Sequence, residues 1–144
     1  MWLFYALAAS VVWGIGYAAC GRILQRGFSS TGLFFLDMFF GLLAMIVYFT
    51  VTKSWGLTFA QGRQLGGQSF WLAVTVVATT SASLFSFLAI QNKNATLASL
   101  VEISYPFFVA FFAWLLFRDT QLTWPTAFGG ILILAGIGII YRFN

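Results

Sequence analysis

Five apolar stretches, each close to 20 residues long, take up almost the whole chain and leave only short polar connections between them. A helix needs about 20 mainly apolar residues to cross the roughly 30 Å hydrocarbon core of a bilayer. Because that core offers no water to the backbone, a spanning segment must satisfy its own N–H and C=O groups, which favours helices. The pattern therefore predicts an all-α polytopic membrane protein, a bundle of five transmembrane helices.

Short polar segments predict where the helices end and begin. Residues 27–32 combine glycine with serine and threonine, the residue types that cap a helix start. Residues 91–94 form a connection short enough to join antiparallel neighbours, and residues 118–121 end the fourth span. Thr123 can cap the last helix, since Pro125 suits a first helical turn.

The longest polar segment, residues 54–68, is predicted as a loop with one interfacial turn around Trp55 and Phe59. The rest of the chain is assigned to spans. We predict a single transmembrane domain over residues 1–144, with helices at about 2–24, 32–52, 69–90, 95–117 and 125–141.

The residue inventory excludes several function classes. The chain has no histidine and one cysteine, Cys20, which rules out an internal disulfide, a Cys/His metal site and a Ser-His-Asp nucleophile. We therefore expect neither an enzyme nor a bound metal or cofactor. The net charge of +4 comes from scattered bases with no run that could follow a phosphate backbone, so nucleic acid is not an expected partner.

The basic residues divide almost evenly between the two membrane faces. With five spans, the face of the N-terminus carries three bases and the opposite face four: Lys53, Arg63 and Arg118 against Arg22, Arg26, Lys93 and Arg142. Lysine and arginine asymmetry sets orientation, so this count gives only a slight preference for a cytoplasmic C-terminus. It is compatible with two copies inserted in opposite directions, although chance can also balance so few charges.

Two acids fall inside predicted spans, Asp37 in the second and Glu102 in the fourth. An ionisable group there costs about 2.5–3.5 kcal/mol on insertion scales, so a function is the default explanation. Glu102 precedes Pro106 by four residues, and the missing proline N–H frees the Glu102 carbonyl. Ser99, Glu102 and Pro106 share a helix face, which we interpret as the wall of a cavity.

Both acids have a functional and a structural interpretation. Low-dielectric surroundings disfavour the charged form of a carboxyl group, so a carboxyl group at Glu102 could exchange a proton for a cationic substrate. The alternative is a neutral Glu102 that hydrogen-bonds a neighbouring helix. Asp37 lies near the start of its span, where water or an ion pair with Arg22 and Arg26 could solvate it.

Trp13 and Tyr17 lie one helical turn apart in the first span. An aromatic pair in a cavity can hold an organic cation against its ring faces, and we include both residues among the candidate substrate contacts. With 20% aromatic residues in the chain, packing or lipid contact is the alternative role.

Four segments resemble one known family. Residues 95–106 resemble the fourth helix of the EamA domain of the drug/metabolite transporter superfamily, residues 117–119 its short acidic turn, residues 129–136 its glycine-rich last helix, and residues 8–14 its opening. Typical members have ten helices in two inverted five-helix repeats. The resemblance therefore implies one repeat, which pairs with a second copy or a related subunit.

The chain departs from relatives at two positions. The related small multidrug resistance proteins use a glutamate in helix one, where this chain has residues 14–17 with the sequence Gly-Ile-Gly-Tyr. Family members often carry an arginine near the start of helix two, where this chain has residues 36–38 with the sequence Leu-Asp-Met. Mechanism and substrate preference are therefore not transferred.

The leading hypothesis is a secondary transporter or exporter of a small organic solute or metabolite. It would work as a dimer by alternating access, either an antiparallel homodimer or a heterodimer with a related subunit, surrounded by lipid in the bacterial cytoplasmic membrane. The alternatives are a non-transporting partner subunit of another membrane protein and a subunit of a lipid-linked sugar flippase.

Overall fold

The computed structural model describes residues 1–119 and 123–143, and all regular structure within these ranges is helical. The turn predicted at 118–121 lies outside the described residues from Thr120 onward. A single 3₁₀ turn, Gly66–Gln68, precedes α4. The helices are α1 (Trp2–Gln25), α2 (Ser30–Thr52), α3 (Trp55–Gln64), α4 (Ser69–Asn92), α5 (Ala95–Glu102), α6 (Tyr105–Phe117) and α7 (Trp124–Phe143).

Five helical stretches in the described part of the chain are long and apolar enough to cross a membrane. They are Trp2–Gln25, Ser30–Thr52, Gly66–Asn92, Ala95–Phe117 and Trp124–Phe143. The prediction of an all-α protein with five membrane-length helices is therefore confirmed. The ends of α1, α2, α4 and α7, and of α5 and α6 taken together, lie within two residues of the predicted bounds.

Side-chain caps fix where two of the spans begin. Ser29 precedes α2 and its hydroxyl accepts a hydrogen bond from the Gly32 N–H at 3.0 Å. Asn94 precedes α5 and its side-chain oxygen accepts from the Leu97 N–H at 2.8 Å. Each cap satisfies one of the N–H groups that a helix start leaves without an internal partner.

Residues 55–64 form a helix, α3, where the sequence predicts a loop. The rings of Trp55 and Phe59, one turn apart, stack with centroids 6.0 Å apart. Trp55 also packs on Phe49 of α2 at 5.1 Å and donates from its indole nitrogen to the Thr50 hydroxyl at 3.3 Å. These contacts offset the low helix propensity of the glycines, which had suggested a loop.

The fourth span is not one continuous helix, because α5 ends at Glu102 and α6 begins at Tyr105. Pro106 has no N–H to donate to the Glu102 carbonyl. Instead, the Ser104 N–H bonds to the Val101 carbonyl at 3.1 Å and the Phe107 N–H to the Ser104 carbonyl at 3.0 Å. These tighter i→i−3 bonds place a break in the span directly beside Glu102.

The chain divides into two compact units. In the unit Arg22–Asn92, α2 packs on α4: the Phe34 and Phe87 rings meet edge-on at 6.4 Å, and Ile90 is buried. In the unit formed by residues 1–21 and 93–144, α5 packs on α7 and Ala98 is buried.

Few apolar side chains of the described residues are buried within the chain itself. The buried ones are Cys20, Leu24, Phe87, Ile90 and Ala98, while large apolar side chains along all five spans are exposed. Such a surface is suited to lipid tails or to another membrane chain, because lipid rather than water then covers the apolar groups.

We expect Phe87→Ala to destabilise the α2–α4 contact, because it leaves a cavity against Phe34. Phe87 is 9% exposed, whereas Phe85 on the same helix is 66% exposed and provides the matched control, Phe85→Ala. The expected loss is about 1–3 kcal/mol of unfolding free energy, below the value for soluble cores, because lipid replaces water outside the contact. Unfolding by sodium dodecyl sulfate in mixed micelles measures it, and equal losses for the two variants would contradict the observed packing.

Candidate functional site

A hydrogen bond between Tyr17 and Glu102 joins two membrane spans. The Tyr17 hydroxyl donates to Oε2 of Glu102 at 2.5 Å, across 85 residues of sequence, and both side chains are half-buried. This length is typical of an O–H donor facing a carboxylate oxygen, among the stronger hydrogen bonds in proteins. The acid in the fourth span therefore has a specific partner on α1.

Equal depth in the membrane explains why the two side chains meet. Tyr17 lies eight residues before α1 ends at Gln25, and Glu102 lies seven residues after α5 begins at Ala95. At 1.5 Å per residue, both lie about 11 or 12 Å from the ends of their helices on the same side of the membrane. Both residues are predicted site residues, but their pairing was not predicted, and this depth match is the sequence signal that points to it.

Trp13 extends the site along α1. Its ring meets the Tyr17 ring edge-on, with centroids 5.5 Å apart and an interplanar angle of 79°. The Trp13 side chain is 59% exposed, so a large part of the indole surface is open. The structure thus brings together three of the predicted residues: the Trp13 indole contacts the Tyr17 phenol, which in turn binds the Glu102 carboxylate.

Ser99 lies one turn before Glu102 on α5 and is half-buried. Its hydroxyl donates to the Thr96 carbonyl at 3.0 Å. A serine bonded to its own helix in this way adds a small side chain to the helix face. Ser99 therefore contributes only a small side chain one turn from Glu102, and its hydroxyl is already engaged.

Pro106 acts through the backbone. It lies in the first turn of α6 and lines a small apolar crevice against α7 together with Ile103, Gly130 and Ile133. The crevice has a cavity volume of only about 20 Å³, far below the roughly 300 Å³ at which ligand pockets begin. The crevice is therefore a packing feature at the helix break.

Asp37 lies on α2 and belongs to the unit Arg22–Asn92. Its side chain is exposed, and within the described residues it forms no ion pair with Arg22 or Arg26. The structural ion pair considered from the sequence is thus not formed.

Comparison with known proteins identifies the family. The model of the EamA-like transporter family matches residues 1–142. The chain belongs to this family. The EamA resemblance of residues 8–14, 95–106 and 129–136 is therefore confirmed. No curated protein and no solved structure matches the chain.

Membership in the EamA family has direct consequences for what kind of protein this is. EamA-like proteins form a transporter family of the drug/metabolite transporter superfamily and are embedded in membranes. Together with the five apolar helices, this makes the chain an integral membrane protein in contact with lipid. Its family consists of transporters rather than enzymes.

A double-mutant cycle tests the hydrogen bond of this EamA-family protein. We expect Tyr17→Phe and Glu102→Gln to be coupled by about 0.6 kcal/mol in unfolding free energy, and by at most about 1.7 kcal/mol, the average and the maximum found for interhelical hydrogen bonds in a membrane protein. Tyr5→Phe is the control, since Tyr5 is an exposed tyrosine on the same helix. The pairing would be refuted if Tyr17→Phe had the same effect in the Glu102→Gln background as in the unchanged chain.

Proposed function

We propose that this EamA-family protein is a secondary transporter or exporter of a small organic solute or metabolite, with Glu102 as the carboxylate that couples transport to protons. The observation that carries the proposal is the hydrogen bond from Tyr17 to Glu102. It joins α1 to the only glutamate of the chain, well inside a membrane-length helix. We also propose that the protein is not an enzyme, consistent with its residue inventory.

The proton-coupling role follows from the few states open to a carboxyl group in this position. In a low-dielectric medium the group is stable when it is neutral, or when its charge is matched by a nearby cation. Among the described residues, no lysine or arginine forms an ion pair with Glu102, and the phenol of Tyr17 supplies a hydrogen bond without a positive charge. A proton and a cationic solute can therefore alternate on this carboxylate.

The break between α5 and α6 supports alternating access. Transporter sites near the membrane midplane are commonly built from discontinuous helices, whose halves can change angle around a fixed binding group. Here the break at Ile103 and Ser104 adjoins Glu102. A change in the angle of α6 would alter access to the carboxylate while α5 keeps its own helical hydrogen bonds.

A second five-helix unit completes the proposed transporter. One repeat exposes apolar side chains along its spans, and we propose that a second copy, inserted antiparallel, or a related subunit covers part of them in the bacterial cytoplasmic membrane. Asp37 supports this, because its exposed side chain lies about 10 Å into α2, and a carboxylate that faces lipid inside a membrane span is unfavourable. A partner at this face would offset that cost.

Proton flux into liposomes tests the function. Purified protein is reconstituted with a pH-sensitive dye trapped inside, and gradients of organic amines, carboxylic acids, sugars and neutral alcohols are applied in turn. We expect at least one solute class to drive proton movement, and Glu102→Gln to reduce it to the level of protein-free liposomes. Asp119→Asn, which changes the acid beyond the end of α6, is expected to retain the flux.

Two results would count against the proposal. Solute-driven flux that persists unchanged in Glu102→Gln would remove the coupling role of this carboxylate. If no solute drives flux and none shifts the thermal midpoint of the purified protein, the non-transporting partner subunit is favoured instead.

Cysteine labelling tests the antiparallel copy. In a Cys20→Ala background, Arg26→Cys and Lys53→Cys place single thiols before and after α2, near opposite membrane faces. For dual insertion we expect a membrane-impermeant maleimide to label about half of each population from outside intact cells. Full labelling of one position and none of the other would establish one orientation and exclude an antiparallel homodimer.

A further inference from the structure

We infer that the Tyr17 hydroxyl occupies the position on the Glu102 carboxylate where the solute binds, and that the solute is an organic ammonium compound. This inference rests on the proposed function and names its substrate class. Tyr17 then acts as an internal competitor: it releases Oε2 when a solute N–H donor arrives and returns when the solute leaves.

The hydrogen-bond acceptors at Glu102 favour a solute that donates hydrogen bonds. A carboxylate only accepts hydrogen bonds, and the group that occupies it here is the O–H of a phenol, at 2.5 Å. A second acceptor lies on the same residue, because Pro106 cannot donate to the Glu102 carbonyl. An ammonium group carries several N–H donors and a positive charge, so it can satisfy more of these acceptors than one phenol can.

The charges on the surrounding helices disfavour an anionic solute. The basic residues of α1 and α7 are Arg22 and Arg142, each in the last turn of its helix. Neither forms an ion pair with Glu102 among the described residues. A carboxylate or phosphate solute would meet the charge of Glu102 without a matching cation.

The aromatic pair supports the same substrate class. Beside the edge-on contact between Trp13 and Tyr17, much of the indole is accessible, since Trp13 is 59% exposed. A cation is attracted to the face of an indole ring more strongly than to the other aromatic rings. A solute ammonium that displaces the phenol would therefore come within reach of this ring.

A competitor role and a positioning role for Tyr17 predict opposite changes in solute affinity when its hydroxyl is removed. If Tyr17 only held Glu102 in place, its removal would weaken solute binding. If Tyr17 competes with the solute, its removal tightens binding, because the solute no longer has to break the phenol–carboxylate bond. A hydrogen bond with a charged partner is strong enough for about a tenfold effect on the dissociation constant.

Three probes with a shared phenylethyl skeleton test the inference: phenethylamine, 3-phenylpropanoate and 2-phenylethanol. Their dissociation constants are measured by calorimetry on the purified full chain in lipid nanodiscs. We expect binding of the amine alone, about tenfold tighter in Tyr17→Phe, and lost in Glu102→Gln with or without Tyr17→Phe. Tyr5→Phe is the control and should match the unchanged chain. If Tyr17→Phe is not monodisperse, Tyr17→Leu removes the same donor.

Each contrary outcome has a defined meaning. Amine binding that is weaker or unchanged without the Tyr17 hydroxyl would overturn the competitor role. Binding of the acid or alcohol as tightly as the amine, or binding of none of the three, would overturn the substrate class. If another solute still drives Glu102-dependent proton flux, the proposed function stands without this inference, whereas flux independent of Glu102 removes the proposed function itself.

Discussion

A carboxylate placed in the membrane interior must find its partners within protein or solute, because the hydrocarbon core holds no water to solvate it. In this EamA-family chain the described partner of Glu102 is a single phenolic hydroxyl, on Tyr17. One neutral donor satisfies one oxygen and leaves the charge of an ionised carboxylate unmatched. Glu102 therefore needs a proton or a cation from outside the chain to match its charge. A residue that couples transport to protons requires this property.

Local features of the sequence place this carboxylate. Asn94 caps the start of α5 and so fixes how deep Glu102 lies in the membrane. Pro106 removes the regular hydrogen bond to the Glu102 carbonyl and divides the span immediately after the acid. A cap, an acid and a proline, within 13 residues, thus set both the depth of the site and the position of the bend beside it.

The sequence predicted those features that depend on short-range chemistry and on the thickness of the bilayer. The five spans, the serine- and threonine-containing start of α2 and the loosened backbone at Pro106 belong to this group, whereas the Asn94 cap was not predicted. Helix α3 was missed because its stability comes from the stacking of Trp55 and Phe59, whereas its glycines suggest a loop. The pairing of Tyr17 with Glu102 was also missed: the sequence shows that their depths match, but in spans that are apolar all round it does not show which faces meet.

Infrared spectroscopy of the chain in lipid, with ¹³C-labelled glutamate, tests the central claim most directly. Glu102 is the only glutamate, so the labelled side-chain carboxyl band reports on one residue. We predict a band whose frequency shifts in Tyr17→Phe and is unchanged in Tyr5→Phe, because only the first variant removes the donor to Oε2. A band unaffected by Tyr17→Phe would show that the phenol does not hold the carboxylate in the membrane, and would contradict this account.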